Sequence, residues 1–231
     1  MHASIGKIKS TVYILLLLIA SSVILIGCSS IQYQREPSTT EVVEKMRAET
    51  DAKNRELIDK LQKGGYVIFM RHTRTKWEQK DVVPFEYYDC SKQRNLDDQG
   101  RSDAVKIGEA FRALDIPVGT VLSSPFCRTR DTAELTFGRY DIEMDLRRWP
   151  NAETPQDEET ILRIRKRMDE LVAQMPPEGE NIVLVSHSDY LKYRLNMKLL
   201  AEGHMAIFKS DGNGSSELVG MIEPEELFRL Y

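Results

Sequence analysis

Tyr66-Val67-Ile68-Phe69-Met70-Arg71-His72 is the stretch that decides the fold. Gly64-Gly65 stops the preceding helical pattern, and the apolar run behind it reads as the first clear strand. A second run, Ile182-Val183-Leu184-Val185-Ser186-His187, has the same form and the same ending. The chain has four histidines, His2, His72, His187 and His204, and two of them close strand-like runs. In open α/β sheets ligands bind outside the carboxyl ends of strands. Both imidazoles are therefore expected at one site.

Outward from these runs the elements alternate. A helix is expected from about Gly100 to Leu114, with Ala104, Ile107, Ala110, Phe111 and Leu114 on one face. Then come a strand at Thr120-Val121-Leu122, a helix from Arg128 to Phe137, and a helix from Pro155 to Met175 stopped by Pro176-Pro177. The apolar positions of that last helix are Ile161, Leu162, Ile164, Met168, Leu171 and Val172. Tyr190 to about Leu200 reads as a further helix, and Ala206-Ile207-Phe208 with Leu218–Ile222 as a hairpin around Asp211-Gly212-Asn213-Gly214. Upstream, Thr39 or Thr40 can cap a helix over 39–64 whose apolar pattern is Val42, Val43, Met46, Leu57, Ile58 and Leu61. Strands alternating with helices predict an α/β three-layer sandwich with a mostly parallel sheet flanked by helices. Residues 65–231 are long enough for one compact domain.

The first residues have a different character. Lys7 and Lys9 precede an apolar run from Thr11 to Ile26 that ends at Gly27-Cys28, the layout of a secretory signal peptide over 1–27. Gly27-Cys28 resembles a bacterial lipobox, which implies a lipid on Cys28, a polar tether over 28–38 and an exported, membrane-anchored lipoprotein. Ser29 after the cysteine points to the outer membrane, facing the periplasm. A retained single anchor is the other reading of the run. Without Lys7 and Lys9 the formal charge moves from -4 to about -6, which argues against a nucleic-acid partner. Cys90 and Cys127 are then the remaining cysteines, and an oxidising compartment favours a disulfide between them, worth roughly 3–4 kcal/mol in the chain-entropy model. Two buried free thiols are the alternative.

Three strand ends converge on one chemistry. The first gives Arg71 and His72, the second Ser123-Ser124-Pro125-Phe126-Cys127-Arg128, and the third His187. An arginine fork makes paired charge-assisted hydrogen bonds to phosphate, and histidine can act as a nucleophile that splits one hard transfer into two easier steps. Phosphoryl transfer demands positioning and fixed positive charge above all. Cysteine phosphatase chemistry fails on spacing, since the sixth residue after Cys90 is Leu96 and after Cys127 is Ala133. A zinc site from His72, Cys90, Cys127 and His187 has acceptable ligand types, but it lacks close ligand pairs and two arginines would repel the ion.

These motifs resemble the histidine phosphatase superfamily, the phosphoglycerate mutase-like fold. The resemblance rests on Arg71-His72-Thr73, on Leu96-Asp97-Asp98-Gln99-Gly100 through Ala104, on Ser123-Ser124-Pro125 with Arg128 and Thr132-Ala133-Glu134, and on Val185-Ser186-His187. It implies that His72 attacks phosphorus, that Arg71, Arg128 and His187 bind the phosphoryl oxygens, and that neither a metal nor another cofactor is needed. The expected partner is a small phosphorylated substrate or an envelope component. Glu153 is the first choice for the general acid and Asp189 the second. A Cys90–Cys127 bond would staple the loop after His72 beside Arg128.

The chain departs from the family at Thr73, where glycine or alanine is usual, at Glu78 and at Arg148, which stands where an acid is common. Glu78 argues against a phosphoglycerate mutase, while Thr73 and the unplaced acid keep a second reading open: a non-catalytic phosphatase-fold lipoprotein acting as a binding or envelope-interaction module. Arg74 and Arg130 read as solvated or salt-bridged, and His204 as a cap or surface residue. Trp77 and Trp149 either flank a substrate or are buried.

Overall fold

The computed structural model describes residues 37–148, 157–196 and 200–231. The expected leader, Cys28, Trp149 and Glu153 lie outside the described residues. By internal contacts the chain divides into two units, of which the second is residues 43–231. Helix α1 spans Thr39–Gln62. Its cap is Ser38 rather than Thr39 or Thr40: the Ser38 hydroxyl accepts the Glu41 N–H at 3.3 Å, and Glu41 accepts the Ser38 N–H at 2.6 Å. That reciprocal pair is a capping box. Of the apolar positions expected in α1, Leu57, Ile58 and Leu61 are buried, whereas Val42, Val43 and Met46 are exposed. After α1 the chain turns at Gly64, with φ +73°, where an added Cβ would lie 2.5 Å from the backbone of Gly179 and Glu180. Only glycine meets both demands.

In the second unit the strands β1 (Val67–Arg71), β2 (Val118–Ser123), β3 (Asp141–Ile142), β4 (Asn181–Ser186), β5 (Met205–Ser210) and β6 (Ser216–Ile222) form one sheet in the order β3-β2-β4-β1-β5-β6. The pairs β1–β4, β2–β4 and β2–β3 are parallel, and β1–β5 and β5–β6 are antiparallel. The sheet is therefore mixed, with its parallel part under the candidate site. Every residue of β1 and β4 is buried, which explains their continuous apolar runs. Alternation then sorts the side chains. Ile68, Met70, Val183, Val185, Met205 and Ile207 face one cluster, and Val67, Phe69, Ile182, Leu184, Ala206 and Phe208 face the other.

Helices cover both faces. Residues of α1, α2 (Asp98–Ala113), α3 (Cys127–Phe137) and α6 (Pro224–Phe228) fill the first cluster, while α4 (Glu158–Val172) and α5 (Asp189–Leu195) fill the second. The three-layer sandwich expected from the alternation is present. Boundaries differ in instructive places. Helix α4 begins where Asp157 accepts the Thr160 N–H at 2.8 Å, and Leu162 on it is exposed. Helix α5 stops at Asn196, which takes the left-handed conformation that ends helices, so it is shorter than the sequence suggests. Among the elements that were not expected are β3 and α6. β3 is two residues long, and α6 is one short helix set by Pro224 and a Glu223–Glu226 capping box. No helix among the described residues is long and apolar enough to cross a membrane.

Register fixes the site. Arg71 pairs with Ser186, and Ser123 with Val185, so β1, β2 and β4 end almost level. Their next residues, His72, Ser124 and His187, leave the sheet together.

Candidate active site

His72 follows β1, His187 follows β4, and Arg128 stands in the first turn of α3 just beyond β2. With Arg71, Trp77, Arg94, Arg148, Ser188 and Asp189 they line a cavity of about 230 Å³. The two imidazoles meet edge to face with centroids 5.4 Å apart. Arg71, His72, Arg128 and His187 are all buried. The structure thus brings together residues from three segments that stand far apart in the sequence, Arg71-His72, Arg128 and His187.

Hydrogen bonds set the state of each ring. His72 Nδ1 lies 2.8 Å from the Thr73 carbonyl oxygen, which can only accept, so Nδ1 holds the proton and Nε2 keeps its lone pair. His187 Nε2 lies 3.0 Å from Ser124 Oγ, and its Nδ1 is buried without a hydrogen-bond partner. The same is true of Arg71 Nε, Arg94 Nε, and Arg128 Nε and Nη2. Burial, reinforced by Arg128 and Arg71, holds His72 well below its ordinary 6.5. Burial, with Arg128 and then His72, does the same to His187. Both rings are neutral at pH 7. Burial also lowers Arg128, to about 10, with Asp81 opposing, so it stays cationic.

The cations are held by a few carboxylates. Asp81 Oδ1 accepts Arg128 Nη1 at 3.0 Å and the Arg94 N–H at 2.8 Å, while Oδ2 lies 3.4 Å from Arg148 Nη1. Burial raises the Asp81 carboxyl, but Arg128, the Arg94 N–H and Arg148 together leave it lowered. Arg71 donates to the Leu200 carbonyl and lies 3.5 Å from Glu202 Oε1. Glu202 also accepts the Thr75 hydroxyl at 2.7 Å, which keeps its carboxylate beside Arg71.

The loop that supplies Asp81 and Arg94 is pinned from several sides. A disulfide joins Cys90 to Cys127 with Cα atoms 5.7 Å apart. Buried Gln93 accepts the Cys127 N–H at 2.9 Å and donates to the Glu86 carbonyl at 2.8 Å. The Phe126 ring meets Phe85 at 5.0 Å and His187 at 5.1 Å. Cys127 opens α3, so the staple lies next to Arg128.

Thr73 does not face the cavity. Its N–H donates to Thr132 Oγ1 at 3.1 Å, and the two hydroxyls lie 3.2 Å apart, with Thr73 buried. The β-branched side chain expected at the phosphate is turned onto α3 instead. Asp189 lines the cavity and lies 4.0 Å from Arg148 Nε, whereas Glu153 is outside the described residues. Arg74 pairs with Asp97 at 2.8 Å, and Arg130 donates to Cys127 Sγ at 3.0 Å; neither lines the cavity. His204 Nδ1 lies 3.8 Å from Glu223. Trp77 is 60% exposed and stands at the cavity mouth, which overturns burial as its reading.

Arg94, Arg148, Asp81 and Glu202 were missed by sequence reasoning. Arg148 had been read only as the residue displacing an acid, and Asp81 and Arg94 sit in a stretch without periodicity. Among the described residues no group of three His, Cys, Asp or Glu side chains could hold a metal ion.

Residues 67–148 match the family model of the histidine phosphatase superfamily (branch 1). The match ends before His187, whose place beside His72 comes from the sheet register. In structure, a candidate alpha-ribazole-5'-P phosphatase from Escherichia coli aligns with TM-score 0.52 at 12% identity, over 70% of this chain and 98% of its own. This likeness concerns the fold, a phosphoglycerate mutase-like α/β sandwich. A phosphoserine phosphatase from Entamoeba histolytica, solved with 3-phosphoglyceric acid, aligns at 0.49 with 16% identity, over 70% and 98%. A candidate phosphohistidine phosphatase SixA from Agrobacterium tumefaciens aligns at 0.46 with 18% identity, over 69% and 98%. No curated protein matches the chain in sequence.

Proposed function

We propose that this chain is a phosphatase that hydrolyses a phosphomonoester through a phosphohistidine on His72, without a metal. The observation that carries the reading is a neutral, buried His72 whose Nε2 makes no hydrogen bond among the described residues, in a cavity where Arg71, Arg128 and His187 keep buried side-chain nitrogens without a partner among those residues. In the first step the Nε2 lone pair forms the N–P bond. The P–O ester bond breaks, and its electron pair leaves with the alcohol oxygen, which takes a proton from an acid. Asp189 is the carboxyl group placed for this among the described residues, and Glu153 remains the other candidate. In the second step water attacks phosphorus and gives its proton to the carboxylate left by the first step, the N–P bond breaks, and the pair returns to Nε2.

Arg71 and Arg128 neutralise the phosphoryl oxygens through both steps, and His187 Nδ1 donates a further hydrogen bond. Fixed donors of this kind need no reorganisation as charge moves. The non-catalytic alternative draws on Thr73 and on the unassigned general acid; the bonding of Thr73 to Thr132 weakens the first of these. The cellular setting belongs to the same proposal: a leader ending at Cys28 and a lipid on that cysteine would hold the domain at the outer membrane, facing the periplasm.

The test is hydrolysis of p-nitrophenyl phosphate by the full-length chain in detergent, with EDTA and no added metal. Turnover is expected, with a loss of about 1,000-fold or more in His72→Ala and an acid-labile phosphoenzyme in the parent. Equal turnover by His72→Ala refutes the mechanism.

A further inference from the structure

The cavity beside His72 opens onto a second, larger one of about 620 Å³, lined by Gln79, Lys80, Asp81 and Val83 and sharing Trp77, Arg94 and Arg148 with the first. The two together hold five cationic side chains, Arg71, Lys80, Arg94, Arg128 and Arg148, and two carboxylates, Asp81 and Asp189. A chain of formal charge -4 therefore concentrates positive charge at one mouth. Such a cleft draws anions in and raises their local concentration.

One phosphoryl group does not use all of these cations. Arg71 and Arg128 stand at the phosphoryl position, and Asp81 is committed to Arg128, Arg148 and the Arg94 backbone. Among the described residues neither Arg94 nor Lys80 has a carboxylate partner, and Arg94 Nε is buried without any hydrogen bond. Arg94 is nevertheless held in place, with its guanidinium 4.6 Å from the Trp77 ring centroid. Side-chain stacking of this kind fixes the fork while leaving its N–H donors free. Arg94 is half-buried, and its buried Nε without an acceptor costs stability; an incoming anion supplies one.

We propose that the outer cleft binds a second anionic group of the substrate, a carboxylate or phosphate borne by the same molecule as the scissile phosphate. Arg94 and Lys80 contact that group, and Trp77 forms the apolar wall between the two anions. This proposal rests on the phosphatase reading for its substrate. Its test does not.

Two non-hydrolysable ligands of one shape separate the possibilities: 4-carboxybenzylphosphonate and its neutral isostere 4-carbamoylbenzylphosphonate. Calorimetric titration of the full-length chain is expected to give about tenfold or more tighter binding of the carboxylate, the size of one charge-assisted hydrogen bond. The ratio is expected to fall to about threefold or less in Lys80→Gln or Arg94→Gln. Lys80 is exposed, so Lys80→Gln tests the site without a risk to folding. Replacing the carboxylate by a second phosphonate distinguishes a carboxylate site from a phosphate site. Equal affinity of the charged and neutral ligands, or a ratio unchanged in both variants, overturns the proposal. A charged preference in a chain that hydrolyses no phosphomonoester would keep the second-anion site and refute the phosphatase.

Discussion

Acidification should unfold this protein through the two histidines of its site. His72 and His187 are buried, held neutral by burial and by the arginines around them, while an unfolded histidine titrates near 6.5. Below pH 6.5 the unfolded chain therefore binds two protons that the folded chain does not. Stability falls with pH by about 1.4 kcal/mol per unit for each ring, or about 2.7 kcal/mol for the pair, for as long as both stay neutral in the fold. Above 6.5 the rings contribute no pH dependence. With both rings still neutral in the fold at pH 5.5, the loss there is about 3 kcal/mol, a large share of the roughly 5–15 kcal/mol that keeps a domain folded. Asp81 acts lower, since its carboxyl lies below the ordinary 3.8 and its contribution is lost only as pH falls toward that range.

Urea denaturation at pH 7.5, 6.5 and 5.5 measures the effect directly. The parent should lose about 3 kcal/mol between the first and last, and His72→Ala and His187→Ala should each show about half that slope. Inorganic phosphate should restore part of the stability at pH 5.5, because an anion bound only by the fold adds to it and favours a charged ring beside it. A parent with equal stability at pH 7.5 and 5.5 refutes the argument. So does a slope that neither histidine variant changes.

Two further outcomes follow from the loop and the leader. Cys90→Ser removes a bond between residues 37 apart in sequence and should cost about 4 kcal/mol under oxidising conditions by the chain-entropy model, read as a lower urea midpoint; an unchanged midpoint would show that the loop is held by Gln93 and the aromatic rings alone. Cys28→Ala should abolish incorporation of radiolabelled palmitate in a bacterial host and release the chain from the membrane fraction, and continued labelling would exclude Cys28 as the lipid site.

The legible parts of the fold are those with a period. Continuous burial of β1 and β4 produced apolar runs that no helix of that length explains, and the alternation of Leu, Ile and Ala positions marked α2 and α4. β3 and α6 left no such trace: a two-residue strand has no period, and the Glu223-Pro224-Glu225-Glu226 start of α6 is a capping signal too local to predict its packing. Leu162 and Met46 show the converse error. Both fit a helical pattern, yet neither finds an apolar neighbour to cover it, and pattern alone does not report where the core ends.

The same distinction divides the candidate site. Arg71, His72, Arg128 and His187 ride on strand ends or a helix start, so the elements that carry them announce where they meet. Asp81, Arg94 and Arg148 arrive on segments fixed by individual hydrogen bonds, a disulfide and an aromatic contact, interactions that obey no spacing rule. Thr73 illustrates why a residue type read in isolation misleads. Its branched side chain would crowd a phosphate if it pointed forward, but Thr132 on α3 offers both a hydroxyl acceptor for its backbone and a partner for its side chain. Thr132 belongs to the element that itself resembles the family, so what its bonding shows is that the Thr73 side chain is turned away from the cavity, and the residues that set substrate choice are to be sought in the pinned loop, at Trp77, Lys80 and Arg94.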